Sequence, residues 1–159
     1  MAWGGARAWA LPVSRRRPEQ VAADQELSHD RQRPYRGVAA RANYLAADRP
    51  DLQHAAKEVC RWMSTPTEVA LMSLKRIGRY LEGRPRLVYK YVFQEAGMID
   101  CYSDTDWAGC PRTRRSTSGG CLVLGKHLIK CWSTTQGPIS LSSGEAEFYG
   151  VVKASSVAL

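Results

Sequence analysis

A mixed α/β fold is predicted by three features of the chain: helical spacing of apolar residues from Tyr35 to Gly83, alternating spacing beyond Arg86, and renewed helical spacing after Ser142. Residues three and four apart share one face of a helix, whereas alternate residues share one face of a strand. The predicted arrangement is a helical segment, then a three-stranded antiparallel meander with one helix on its face.

Met1 to Pro34 shows no sustained period and mixes Arg, Gln, Glu, Pro and Asp, so residues 1–34 are read as disordered or as a poorly supported N-terminal segment. In a first helix, Val38, Ala42 and Leu45 recur at helical spacing until Asp48-Arg49-Pro50-Asp51 breaks the run. Pro50 suits the first turn of a second helix, where its missing N–H costs nothing. That helix is expected to bury Leu52, Ala55, Ala56, Val59 and Trp62 and to stop near Ser64. Thr65, Pro66 and Glu68 read as the cap, first position and reciprocal acid of a third helix, with Val69, Met72, Ser73, Ile77 and Tyr80 on one face. Gly83 and Pro85 end it. Lys75, Arg76 and Arg79 lie toward its other side, which on spacing alone reads as a solvated face in preference to a dedicated contact.

Leu87 to Phe93 alternates and reads as a strand, and Gln94 to Gly97 as a turn. The meander follows as strands 98–104, 119–124 and 128–133, with Gly125-Lys126 as a tight turn. Ser142 and Glu145 form a second capping box, opening a helix whose stripe is Ala146, Tyr149 and Val152. The expected division is 1–34, a helical segment 35–96, and a sheet-and-helix segment 97–159.

The chain has 159 residues, 44% hydrophobic and 24% charged, with a formal net charge of +8. That composition does not force disorder over the whole length, and the basic surplus favours an acidic polymer as partner. Its five cysteines include no C-x-x-C pair and no histidine at zinc-ligand spacing, so a reduced intracellular setting is expected and a structural zinc is not. No stretch is apolar for long enough to cross a membrane as a helix, and Met1–Val13 lacks the layout of a secretory signal.

The acidic residues with chemical potential are Asp104, Asp106, Glu145 and Glu147. A strand-end Asp104 and a helical Glu145 converge on one divalent cation if strand and helix pack face to face, and Mg²⁺ accepts such a partial carboxylate set. Glu145 serves equally well as the reciprocal acid of its capping box.

Combined motifs narrow the reading. Tyr102-Ser103-Asp104-Thr105-Asp106-Trp107-Ala108-Gly109 resembles the Y-S-D-x-D-W-A-G signature that opens the RNase H domain of copia-type retrotransposons. Arg114-Arg115-Ser116-Thr117-Ser118-Gly119 is similar to the R-R-S-T-S-G block that follows it. Trp132-Ser133-Thr134-Thr135-Gln136 and Leu141-Ser142-Ser143-Gly144-Glu145-Ala146-Glu147 resemble the later W-S-x-x-Q and L-S-S-x-E-A-E blocks in order and spacing. Upstream, Tyr44-Leu45-Ala46, Arg49-Pro50-Asp51 and the run from Lys75 to Gly83 resemble the connection between polymerase and nuclease in the same polyproteins.

The resemblance covers about Tyr35 to Leu159 and implies an incomplete RNase H-like fold within a Pol polyprotein. It implies hydrolysis of the RNA strand of an RNA–DNA hybrid by four carboxylates and two Mg²⁺ ions. Asp104 matches the first-strand aspartate and Glu145 the first-helix glutamate, while Asp106 and Glu147 belong to the motifs without an assigned metal role. Lys75, Arg76, Arg79, Arg114 and Arg115 become candidates for nucleic-acid contact. The third and fourth carboxylates of the family would fall past Leu159, so the chain alone is expected to be inactive and to depend on the rest of the polyprotein. No polymerase-type Asp-Asp pair occurs, so reverse-transcriptase activity is not expected here. An alternative is a non-catalytic nucleic-acid-binding module, or the product of a degenerate element with no selected function.

Overall fold

The computed structural model describes residues 25–95 and 97–159, and the chain divides between Leu87 and Val88 into two compact units. The expectations for Met1–Asp24 lie outside the described residues.

The first unit is built from α1 (His29–Leu45), a 3-10 turn (Pro50–Leu52), α2 (Gln53–Cys60) and α3 (Glu68–Gly83). Order begins well before Tyr35, contrary to the expectation of disorder through Pro34. Leu27 N–H donates to Pro66 O at 2.8 Å and Glu68 N–H to Gln25 O at 3.0 Å, so residues 25–27 pair with the entry to α3. Leu27 itself is buried, and Arg31 pairs with Glu68 across the same junction. These contacts span some forty positions (about 40) and leave no periodic trace in the local sequence.

The buried stripe of α1 is Tyr35, Ala39 and Ala42, joined by Ala46 just past its end, rather than Val38, Ala42 and Leu45. Val38 is 47% exposed. Small alanines let helices approach closely, and the core is rich in them: Ala39, Ala42, Ala46, Ala55, Ala56 and Ala70 pack with Leu52, Val59, Leu74 and Ile77. Tyr35 adds a large, buried polar ring, with its hydroxyl donating to Val59 O at 2.6 Å; burial raises its pKa. The predicted core of the second helix is found in Leu52, Ala55, Ala56 and Val59, although the helix ends at Cys60. The cap of α3 is Thr67, whose hydroxyl accepts from Ala70 N–H at 3.2 Å, so Thr65 and Pro66 stand outside the helix. Its buried residues are Ala70, Leu74 and Ile77; Met72 faces solvent.

Arg49-Pro50-Asp51 has a structural role in this unit. Arg49 and Asp51 form a buried ion pair at 2.8 Å, and Tyr80 Oη donates to the same carboxylate at 2.8 Å. The guanidinium also donates to Arg84 O at 3.1 Å, tying the 3-10 turn to the exit of α3. Burial alone would raise the Asp51 pKa. The hydrogen bonds from Arg49 and Tyr80, together with the Arg49 charge, outweigh it and hold the carboxyl below its ordinary value.

The second unit contains β1 (Ile99–Asp106), β2 (Thr117–Leu124), β3 (His127–Thr135) and α4 (Ser143–Ala158). The three strands form an antiparallel meander in the order β1-β2-β3, as the sequence predicts. Gly125 takes φ +57° in the two-residue turn from Leu124 to His127, a conformation suited to glycine.

The strand expected over Leu87–Phe93 does not form among the described residues. Side chains hold this segment instead of a backbone ladder. Tyr91 Oη donates to Leu128 O at 3.2 Å, Gln94 Nε2 donates to Leu124 O at 2.6 Å, and Lys126 N–H donates to Gln94 Oε1 at 3.1 Å. Alternation therefore reports no shared buried face here, and Phe93 is 97% exposed.

One face of the sheet is covered by α4. Its buried stripe is Ala146, Gly150 and Ala154, not Ala146, Tyr149 and Val152; Val152 is 50% exposed. The small stripe brings the helix backbone close to the strands. A Cβ on Gly150 would lie 2.5 Å from Thr105 Oγ1, and Cys101 Sγ reaches Ala154 O at 3.8 Å. Leu122, Trp132 and Ala154, with Val157 beside them, form the apolar cluster beneath. At roughly 1.5–3 kcal/mol for each large side chain fully buried, this is a modest core.

Candidate functional site

Strand alternation sorts the residues of β1. Cys101 and Thr105 contact α4, so Tyr102, Asp104 and Asp106 point to the opposite face. Both aspartates are exposed. Because Gly150 lies over Thr105 and Ala154 over Cys101, α4 runs antiparallel to β1. The start of α4 is therefore at the Asp106 end of β1, so Glu145 and Glu147 lie at that end of the unit, while Asp104 and Asp106 point to the sheet face away from α4.

The first turn of α4 shows the capping box the sequence predicts. Ser142 Oγ accepts from Glu145 N–H at 3.1 Å, and Glu145 Oε2 accepts from Leu141 N–H at 2.7 Å. That carboxylate is occupied in closing the helix end. With about 100° between successive helical residues, Glu147 lies about 60° from the centre of the Ala146–Gly150–Ala154 stripe and Glu145 about 140°. Glu147 is exposed and on the side of the helix nearer the sheet.

Much of the motif set stabilises this corner. Gln136, buried at 7% exposure, donates from Nε2 to Ser118 Oγ and to Ala146 O, both at 2.9 Å. Its Oε1 accepts from Ser140 Oγ at 3.1 Å, and its N–H donates to Ser116 O at 2.9 Å. One side chain thus joins β2, α4 and the loop between β3 and α4. Ser116 is fully buried and accepts from Ala108 N–H at 3.1 Å, while Trp107 Nε1 donates to Ser140 O at 3.1 Å. Ala108 and Arg114 hold φ of +49° and +56°, uncommon for residues other than glycine. Gly109 has no room for a Cβ, which would meet Asp106 Oδ2 at 2.0 Å.

Sequence reasoning gave no role to Gln136 or Ser116. The available signal was their place inside the motif blocks, read as markers of a nuclease when several of them are determinants of the corner's shape.

Arg114 and Arg115 are exposed on the loop between β1 and β2. Lys75, Arg76 and Arg79 are exposed on α3 of the first unit, with Arg76 and Arg79 a turn apart. Among the described residues, no three His, Cys, Asp or Glu side chains come together as a metal-holding group. The fit to Mg²⁺ is partial, since the ion accepts one or two carboxylates with waters and a substrate phosphate. No helix of the described residues is long and apolar enough to cross a membrane.

No protein-family model matches the chain, and no solved structure does. It is 40% identical over 125 residues to the retrovirus-related Pol polyprotein from transposon RE1 of Arabidopsis thaliana, a match covering 77% of this chain and 8% of that polyprotein. An uncharacterized mitochondrial protein of the same plant is 36% identical over 118 residues, covering 72% of this chain and 48% of the relative. Secreted RxLR effector protein 161 of Plasmopara viticola is 34% identical over 129 residues, covering 79% of this chain and 89% of that protein. The chain thus spans less than half the length of the first two relatives. Along most of its length the chain is thus similar to retrovirus-related Pol polyproteins of transposons, of which the matched region is a small part.

Proposed function

We propose that the unit from Val88 onward is the opening part of an RNase H domain in a copia-type Pol polyprotein, acting on the RNA strand of RNA–DNA hybrids with Mg²⁺. The observation that supports this reading is the order and spacing of the motif blocks from Tyr102 to Glu147, with the start of α4 at the Asp106 end of β1.

Asp104 supplies the strand carboxylate. For the helix carboxylate the resemblance points to Glu145, but that group is engaged by Leu141 N–H, and Glu147 is exposed on the side nearer the sheet. We therefore assign the helix ligand to Glu147 and a capping role to Glu145. Bound Mg²⁺ would stabilise the attacking and leaving oxygens of the phosphodiester. Arg114 and Arg115 in this unit, and separately Lys75, Arg76 and Arg79 in the first, are proposed phosphate contacts. Two carboxylates do not complete a two-ion site, so cleavage belongs to the larger polyprotein and not to these residues alone.

The test is Mg²⁺-dependent cleavage of a hybrid by the polyprotein carrying Asp104→Asn. Loss of cleavage with hybrid binding retained is the expected result. An unchanged rate would reject the assignment of Asp104. Salt-sensitive hybrid binding without cleavage in the unaltered polyprotein would favour a binding module built on the basic residues.

A further inference from the structure

Cys121 on β2 and Cys131 on β3 are directly opposed in the antiparallel register. Directly opposed residues share a face, and alternation from Leu122 and Trp132 puts this pair on the sheet face away from α4. Both residues are half-buried, and neither is in a disulfide. Opposed Cα atoms in an antiparallel ladder stand roughly 4.5–5.5 Å apart, within the span of about 4.4–6.8 Å seen across disulfides. Opposed Cβ atoms are roughly 4.5–5.5 Å apart, against about 3.5–4.5 Å in a disulfide. Closing the bond thus requires a small adjustment of the hairpin, and a bond formed under such strain is readily reduced again. Among the described residues, no other two cysteines are directly opposed in the strand register. Cys101 faces α4, Cys110 is buried in the loop after β1, and Cys60 belongs to the first unit.

We propose that Cys121 and Cys131 form a redox-responsive dithiol, which a low-molecular-weight disulfide such as glutathione disulfide converts to a cross-strand disulfide. Burial, and then the neighbouring Cys101, raise the pKa of the Cys121 thiol, which disfavours its thiolate as the first attacker. The Cys131 thiolate attacks one sulfur of glutathione disulfide, whose S–S bond breaks to release one glutathione thiolate. Cys121 then gives up its proton and attacks the Cys131 sulfur of the mixed disulfide, forming the cross-strand bond and releasing the second glutathione. Two electrons pass from the protein thiols to glutathione disulfide, and the two thiol protons end on the two departing glutathiones. The bond would sit beside the pair Asp104–Gly119 on the same face, linking the redox state of the hairpin to the geometry around the strand carboxylate.

The experiment is to expose the full chain to glutathione disulfide, alkylate the remaining thiols, and map the cysteine peptides by mass spectrometry. The expected result is a fall from five alkylatable thiols to three, with Cys121 linked to Cys131. Dithiothreitol restores all of them. In Cys121→Ser the reaction is expected to stop at a glutathione adduct on Cys131. Glutathione adducts without a cross-link in the unaltered chain, a link involving Cys101, or no reaction at either residue would each overturn the proposal.

Discussion

Replacing Asp51 with alanine is expected to lower the stability of the first unit by about 3–5 kcal/mol, the range for removing one partner of a buried ion pair. The Arg49 and Asp51 side chains are almost wholly buried, so the substitution strands the guanidinium charge and deprives Tyr80 Oη of its acceptor. At urea slopes of about 1–3 kcal/mol per molar, the unfolding midpoint of this unit should fall by about 2 M. Replacing Arg49 and Asp51 together by apolar residues of similar volume should cost much less, because no charge remains unpaired. The same pair sets an acid limit. The Asp51 pKa is held below its unfolded value of about 3.9, so the pair's stabilisation is complete above that pH and is lost as pH falls through the folded pKa. Urea midpoints measured from pH 6 downward should therefore drop more steeply in the parent than in the doubly apolar variant. Equal slopes would show that the pair contributes little.

Gly120→Ala is expected to destabilise the second unit by about 1–3 kcal/mol through overpacking, whereas Gly119→Ala, one residue away, should be near neutral. A Cβ on Gly120 would stand 2.2 Å from Trp132 Cζ2 and 2.5 Å from the backbone oxygen of Tyr102. Neither neighbour yields easily. Trp132 is buried in the cluster beneath α4, and Tyr102 O belongs to the paired strand. A Cβ on Gly119 meets nothing closer than 3.9 Å, an ordinary contact. Thermal midpoints of the two variants decide the matter, with a separation of several degrees expected. Equal midpoints would mean that β2 does not present Gly120 to Trp132.

The elements legible in the sequence are those whose pattern is local. Leu52, Ala55, Ala56 and Val59 fall on one helical face and are buried together, and the meander follows from alternation and the Gly125-Lys126 turn. Small residues hid two faces. Ala39 and Ala42 in α1, and Gly150 and Ala154 in α4, pack because they are small, while the bulkier Val38 and Val152 face solvent. The entry to α3 was misplaced by two residues because Thr65 and Thr67 both suit a cap, and pairing with Gln25–Leu27 decides between them. Leu87–Phe93 alternates without a strand partner, and alternation by itself supplies none.

At the candidate site, the strand position of Asp104 and the capping box at Ser142 were both legible. What sequence spacing left open was whether Glu145 is a ligand or a cap. Its hydrogen bond to Leu141 N–H shows the capping role, and the ligand role proposed for Glu147 rests on its angular position. Gln136 was out of reach, because its partners on β2, α4 and the intervening loop converge only in three dimensions.

The most direct measurement compares Glu147→Gln and Glu145→Gln in the polyprotein, assayed side by side for Mg²⁺-dependent cleavage of an RNA–DNA hybrid. Glu147→Gln is expected to abolish cleavage with hybrid binding intact. Glu145→Gln should retain it, with a stability loss of about 1 kcal/mol from the weakened cap. Full cleavage by Glu147→Gln, or its loss in a folded Glu145→Gln, would contradict the assignment.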